Sequence, residues 1–468
     1  MIEIPPSKSD AKLRRESVVA RREVFEQGRA LRKKVSRSNH ADWKPPPNRP
    51  DPVALLLQTG RQRLARLLPL RYGRMSQSAF AFMRGSAALM ASDLAGTPVS
   101  GIKVQACGDC HLGNFGAFAS PERRILFDIT DFDETMPGAW EFDLKRLATS
   151  FILAARAKGC NRTIAKEVTK AAVRSYREHM HEFAAMSPLE TWYFIIDSEL
   201  LIRTAPDKAA RLRRQRFEQR ARERGGESIL GKLLEERGGV WRFREQPPTI
   251  TRLRRGSPLE KSFLKALERY PVTLPEDRRA LLERYRLADL AFKVVGVGSV
   301  GTRCAIALYR SETGDSLVLQ VKEALPSVLE PYVGRSVVAH EGQRVVLGQR
   351  LMQCASDIFL GWASDGQGHD YYVRQLRDMK TSVSLDEMKG PVFYNFAGMC
   401  GWALARAHAK GGNAARLAGY IGRSERLDDA LVRFAQVYAD QCERDYELFM
   451  RAVRTKKIPV EIETPERR

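Results

Sequence analysis

The chain has 468 residues, 43% of them hydrophobic, and a formal net charge of +22. That length suits roughly two or three domains or one large enzyme with a packed core, and no run of about eighteen apolar residues exists, so no membrane span is expected. Seven scattered cysteines, an odd number, argue against a disulfide framework and for a reducing, cytoplasmic setting.

Residues 1–50 are basic and Pro-punctuated, ending in Lys44-Pro-Pro-Pro-Asn-Arg-Pro50. They read as an arm or mobile helix followed by a linker, with no apolar signal segment. Val53, Leu56, Leu57, Leu64, Leu67 and Leu68 recur at helical spacing, predicting a helix over 51–70. Phe80–Gly85 leads to another at 86–94, and Val99–Gln105 reads as a strand.

The stretch from Cys107 to Glu134 carries the densest chemistry. Gly108-Asp109-Cys110-His111-Leu112-Gly113-Asn114 and Asp128-Ile129-Thr130-Asp131-Phe132-Asp133-Glu134 are two acidic clusters. Arg124–Phe127 between them reads as a buried strand that holds them side by side. An Asp followed by Asn, and then by a strand ending in Asp-Phe-Asp, suits metal-dependent phosphoryl transfer. One Asp would orient the hydroxyl, while Asn and a later Asp would hold a hard cation such as Mg²⁺. Cys107-Gly-Asp-Cys110-His111 also spells a c-type haem attachment pattern. Haem attachment needs an exported chain, and a zinc site needs a second ligand pair that the sequence does not offer.

Helices follow at Trp140–Lys158, 162–186 and 188–203. Residues 204–260 read as charged helix and loop. Arginines 211–224 are interleaved with Glu, which favours a solvated helix face over a nucleic-acid surface. Strands are expected at 290–295, 303–309 and 317–322. A hairpin is expected from 358–362 and 371–376, helices at 340–353, 394–410 and 427–454.

Between the first two of these strands lies Gly296-Val-Gly298-Ser-Val-Gly301. A dinucleotide-binding fold would place a helix directly after this pattern. A second strand follows instead, then a third ending at Lys322, which is the sequel kinases show. The glycines would let backbone N–H groups approach phosphates, and Lys322 would reach the α and β phosphates. Such a Lys needs an acidic partner, and Glu341 at the start of the next helix is the expected one. Glu323 should point to the opposite sheet face.

Together these residues resemble the protein-kinase-like superfamily, above all its aminoglycoside and choline phosphotransferase branch. Asp109-Cys-His111-Leu-Gly-Asn114 matches a D-x-H-x-x-N catalytic loop, Asp131-Phe132-Asp133 a D-F-x segment, and Asp143 the Asp that braces the loop from the next helix. The whole chain looks like the bacterial family called domain of unknown function 2252, whose members share G-D-x-H-x-x-N-F, D-F-D-E and W-E-x-D-L-K-R. The motif order departs from ordinary kinases, because the catalytic loop precedes the Gly-rich loop. The helix that normally precedes the catalytic loop resembles Cys400–Ala409. Circular permutation accounts for both.

The resemblance implies an α+β fold with two lobes, a small antiparallel β-sheet lobe and a large helical one. Residues 1–50 would be arm and linker, 51–288 the helical lobe with the catalytic and metal loops, 289–380 the Gly-rich β lobe, and 381–468 helices completing the helical lobe. Asp109 and Lys322 would be catalytic, Asn114, Asp131 and Asp133 would bind metal, and His111 would brace the loop. Gly296, Gly298, Gly301 and Lys322 would hold phosphates, with Glu341 positioning Lys322. Arg374–Asp378 would cross between lobes, its backbone facing adenine. The implied activity is transfer of a phosphoryl group from ATP with Mg²⁺ to an unidentified acceptor. Adenylyl transfer on the same fold, or non-catalytic binding of nucleotide or nucleic acid, are the competing readings.

Overall fold

A computed structural model describes residues 8–223, 226–376 and 388–463. Among these residues the fold is α+β: helices with three two-stranded antiparallel sheets and one six-stranded antiparallel sheet. Among the described residues no helix is long and apolar enough to cross a membrane.

In chain order the strands are β1 (Lys103–Ala106), β2 (Phe115–Ala119), β3 (Ile125–Ile129), β4 (Met136–Ala139), β5 (Leu234–Arg237), β6 (Val240–Phe243), β7 (Ile250–Arg252), β8 (Tyr285–Lys293), β9 (Cys304–Ser311), β10 (Ser316–Ala324), β11 (Gly361–Ser364) and β12 (Asp370–Gln375). The large sheet runs β11-β12-β10-β9-β8-β7. Alternate residues of a strand face opposite sides, and β9 and β10 bury both. Ala305, Ala307, Leu319 and Val321 join a core built with Phe263 and Tyr270, while Ile306, Leu308 and Val318 join a core with Leu234, Phe243 and Ile250. Gln320 and Lys322 share the second face, register-paired with Arg374 and Tyr372 of β12. Glu323, on the first, pairs with Arg303 at 2.5 Å, as the alternation predicts.

The helical part is organised around Trp140–Ala157, which is buried along nearly its whole length. Arg162–Ala185, Pro391–Lys410 and Arg426–Arg454 pack with it into one apolar core. That core also receives Cys107, Cys110, Leu112 and Phe132, so the acidic loops are anchored by their apolar residues.

Three expectations differ. Residues 31–50 are not a free linker. Trp43 packs edge-on against Tyr438, His40 bonds the Tyr420 hydroxyl at 2.6 Å, and Arg49 bridges buried Asp93 and Asp445 at 2.7 and 2.6 Å. The helix expected over 51–70 breaks into Pro52–Gly60 and Leu68–Met75. The stretch 204–260, expected as helix and loop, holds a hairpin, β5–β6. Its turn is Gly238-Gly239, both at positive φ, which only glycine adopts readily.

Candidate active site

The acidic loops are built from local geometry upward. Gly108 adopts φ 82°, and a Cβ there would meet the Glu134 carbonyl oxygen at 2.3 Å, so only glycine lets the two loops approach. Asp143, in the first turn of Trp140–Ala157, accepts the amides of Cys107 at 2.6 Å and Gly108 at 2.9 Å. His408, from the helix Pro391–Lys410, contacts the same carboxylate at 3.1 Å. The expected brace is therefore present, and the helix Pro391–Lys410 packs against the loop although it lies far away in sequence.

These anchors leave Asp109 facing a cleft of about 1200 Å³. Its Oδ1 accepts from Arg146 Nε at 2.7 Å, while Oδ2 lies 3.8 Å from His111 Nε2. His111 Nδ1 accepts the Gly113 amide, and burial together with Arg84 and Arg146 pushes its pKa well below the ordinary value. It is a neutral brace. Asn114 donates its amide to the Asp109 carbonyl at 2.9 Å, leaving its side-chain oxygen uncommitted to that bond. The Thr130 amide donates to the Asn114 carbonyl at 2.8 Å, tying the two acidic clusters together.

Asp131 and Asp133 differ sharply although they are two residues apart. Burial, and then the Asp133 charge, raise the Asp131 pKa. Burial works on Asp133 too, but Lys322 and Tyr372 outweigh it and hold its pKa at about 2. Lys322 Nζ donates to Asp133 Oδ2, the Tyr372 hydroxyl donates to Oδ1 at 2.7 Å, and the Ser299 hydroxyl donates to Oδ2 at 3.0 Å. Burial would strip the charge from Lys322, whose side chain is 3% exposed, yet Asp133 keeps its pKa above the ordinary value.

The Gly-rich loop connects β8 to β9 and closes over this cluster. A Cβ on Gly298 would sit 3.4 Å from the Arg84 carbonyl oxygen and 3.7 Å from Asp109 Oδ2. Gly296, at φ −61°, has open space where a Cβ would point. Asp109, Asn114, Asp131, Asp133, Gly296, Gly298 and Lys322 thus line one cleft.

Gly301 and Glu341 do not line it. Gly301 turns the chain at φ 94° beside Arg63. The expected Lys322–Glu341 pair is not formed. Glu341 pairs with Arg344 at 2.6 Å, one turn along its helix. Arg344 in turn donates to the carbonyls of Asp133, Thr135 and Leu325 at 2.9, 2.8 and 2.7 Å. The helix therefore sends an arginine toward the acidic loop, and the carboxylate partner of Lys322 comes from the loop itself. Asp133, read as a second metal ligand, has both oxygens engaged by Lys322, Ser299 and Tyr372.

Arg374 stands in the cleft, its Nε donating to Gln320 at 3.0 Å, while Arg377 and Asp378 of the same expected crossing lie outside the described residues. Cys107 and Cys110 are buried free thiols. The hydrogen bond that the Cys107 thiol donates to Cys110, and then burial, raise the Cys107 pKa, while burial raises that of Cys110 to about 11. Among the described residues no three His, Cys, Asp or Glu side chains stand together as a metal cage. Sequence reasoning gave no role to Arg146, Ser299 or Tyr372. Arg146 was visible in the W-E-x-D-L-K-R stretch, but no local pattern marks the other two.

A family model described as "Uncharacterized protein conserved in bacteria (DUF2252)" matches residues 63–452, and the chain belongs to that family. Neither the curated proteins nor the solved structures include a match.

Proposed function

We propose that this family member is an ATP- and Mg²⁺-dependent phosphotransferase on a two-lobed, circularly permuted kinase-like fold. The supporting observation is the meeting of Lys322, Asp131 and Asp109 beneath the Gly-rich loop in one cleft. Two separate surfaces would have served an acidic loop and a Gly-rich turn of unrelated purpose.

The donor set fits Mg²⁺, which is commonly held by one or two protein carboxylates with phosphates and water completing its shell. Asp131 is a cleft carboxylate whose charge burial disfavours, and Asn114 offers a side-chain oxygen. These two residues would hold the ion, and Asp133 would not, being committed to Lys322. When bound, the ion neutralises charge on the phosphates.

The rest of the work falls to the chain's own groups. The loop from Gly296 to Ser299 covers the phosphates, and the open side of Gly296 leaves room for backbone approach. Lys322 is kept charged by Asp133 and supplies a fixed cation on the phosphate side. Asp109 is clamped by Arg146 through one oxygen, leaving Oδ2 to accept the hydrogen bond of an acceptor hydroxyl and orient it.

The test is a pair of variants followed by ATP consumption and nucleotide binding. Asp109→Asn should lower turnover by about 10²–10⁴-fold with nucleotide affinity retained, because the group acts on the acceptor. Loss of nucleotide binding in that variant would contradict the role. The mass added to a modified acceptor separates phosphoryl from adenylyl transfer.

A further inference from the structure

One corner of the cleft has arginines without ion-pair partners. Arg63, Arg71 and Arg84 all line it, and among the described residues none of the three has a carboxylate ion-pair partner. Neighbouring arginines do: Arg74 pairs with Glu463, Arg146 with Asp109, and Arg344 with Glu341. Arg71 is only 3% exposed. Its Nη2 donates to the Gly85 carbonyl, while Nε and Nη1 have no partner. The Nε atoms of Arg63 and Arg84 are likewise buried and unpartnered. Leaving buried charged donors unsatisfied is costly, and burial pushes all three pKa values down. An anion would satisfy them.

A second feature points the same way. The helix Ala87–Ala95 starts at this corner, and Ala87 and Ala88 line the cleft. No side chain caps it. The Ser86 hydroxyl turns back to the Phe82 carbonyl at 2.8 Å instead. The first amides of a helix are oriented toward an anion and carry the positive end of its dipole. Arg84 also faces the reacting side. Its guanidinium carbon lies 3.7 Å from where a Cβ on Gly113 would be, and its carbonyl abuts Gly298 beside Asp109.

Resting on the phosphotransferase reading, we propose that this arginine corner binds a phosphate group carried by the acceptor, placing the acceptor's hydroxyl at Asp109. The acceptor is then a phosphorylated, hydroxyl-bearing small molecule.

Inorganic phosphate is the probe, with binding measured by calorimetry on the full chain. The expected result is binding to the wild type that weakens by about tenfold or more in Arg84→Gln and in Arg71→Met, since charge-assisted bonds are lost. Arg222→Gln, on an exposed helix face, controls for net charge and should change nothing. Arg84 is less deeply buried than Arg71, so its variant decides the matter if Arg71→Met fails to fold. Phosphate binding should persist with a saturating Mg²⁺ complex of a non-hydrolysable ATP analogue. Absence of phosphate binding, or equal binding in both arginine variants, would overturn the site. Displacement by the analogue would assign the arginines to the nucleotide's own phosphates and overturn the acceptor role. Arginine-dependent phosphate binding in a chain that takes no nucleotide would uphold the anion site while removing the phosphotransferase reading beneath it.

Discussion

The acidic loop and the Gly-rich loop face each other across the cleft but are held in opposite ways. The acidic loop is fixed by buried charge from two helices. Asp143 takes two of its amides, Arg146 clamps Asp109, and Arg406 pairs with Asp128 with both side chains fully buried. The Gly-rich loop is held chiefly at its ends. Arg74 takes the Val295 carbonyl, Arg63 that of Val300, and the Leu64 amide that of Gly301. Between them Ser299 reaches Asp133, and Gly296 meets nothing on its Cβ side. The difference teaches which half is scaffold. The groups that would do chemistry on an acceptor are preorganised, while the Gly-rich loop that would cover the phosphates has open space at Gly296.

The sharpest way to break this contrast is Asp128→Ala. Arg406 would stay buried without its acid, and removing one partner of a buried pair typically costs about 3–5 kcal/mol. Thermal unfolding measures it, and a loss under about 1 kcal/mol would mean the acidic loop is not braced by that pair.

The next effect is a pH slope. Burial lifts the Glu134 carboxyl to about 7, against the opposing Val328 amide and Arg344. Between its unfolded pKa and about 7 the folded chain binds the extra proton. Stability from this group is therefore fully present below the unfolded pKa and is lost as pH rises through 7. The total is on the order of 3 kcal/mol, since the carboxyl rises from 4.5 to about 7 and one pKa unit is worth about 1.4 kcal/mol. Unfolding curves across that range in metal-free buffer should flatten in Glu134→Gln, which retains an acceptor for the Val328 amide. An unchanged slope would assign the effect elsewhere.

Two glycines then sharpen the comparison within the Gly-rich loop. Gly301→Ala forces a side chain to φ 94° and should cost about 1–2 kcal/mol. Gly296→Ala should leave stability within about 0.5 kcal/mol, because its dihedrals suit any residue and its Cβ meets open space. It should nevertheless weaken nucleotide binding. Undiminished nucleotide affinity would remove the glycine's proposed purpose.

Much of this arrangement was legible because it is local. The strand pattern around Gly296–Gly301 and the helix at Trp140 follow from short-range spacing, and the brace from Asp143 from the resemblance to kinase-like catalytic loops. The partner of Lys322 was not. Strand alternation correctly sent Glu323 away, but helix phase could not reveal that Arg344 would capture Glu341 or that Asp133 would lie nearer Lys322. The arginine corner was hidden for the same reason. Arg63, Arg71 and Arg84 sit on separate short elements, and only the fold removes their partners. The hairpin at 234–243 was masked by its charged residues, although Gly238-Gly239 was a usable turn signal.

The most direct test of the central claim is binding of a non-hydrolysable ATP analogue, titrated with and without Mg²⁺, to the wild type and to Asp131→Asn. Tight, Mg²⁺-dependent binding to the wild type is expected, with loss of both affinity and metal dependence in the variant. Equal affinity and equal metal dependence in the two proteins, or no nucleotide binding by the wild type, would contradict it.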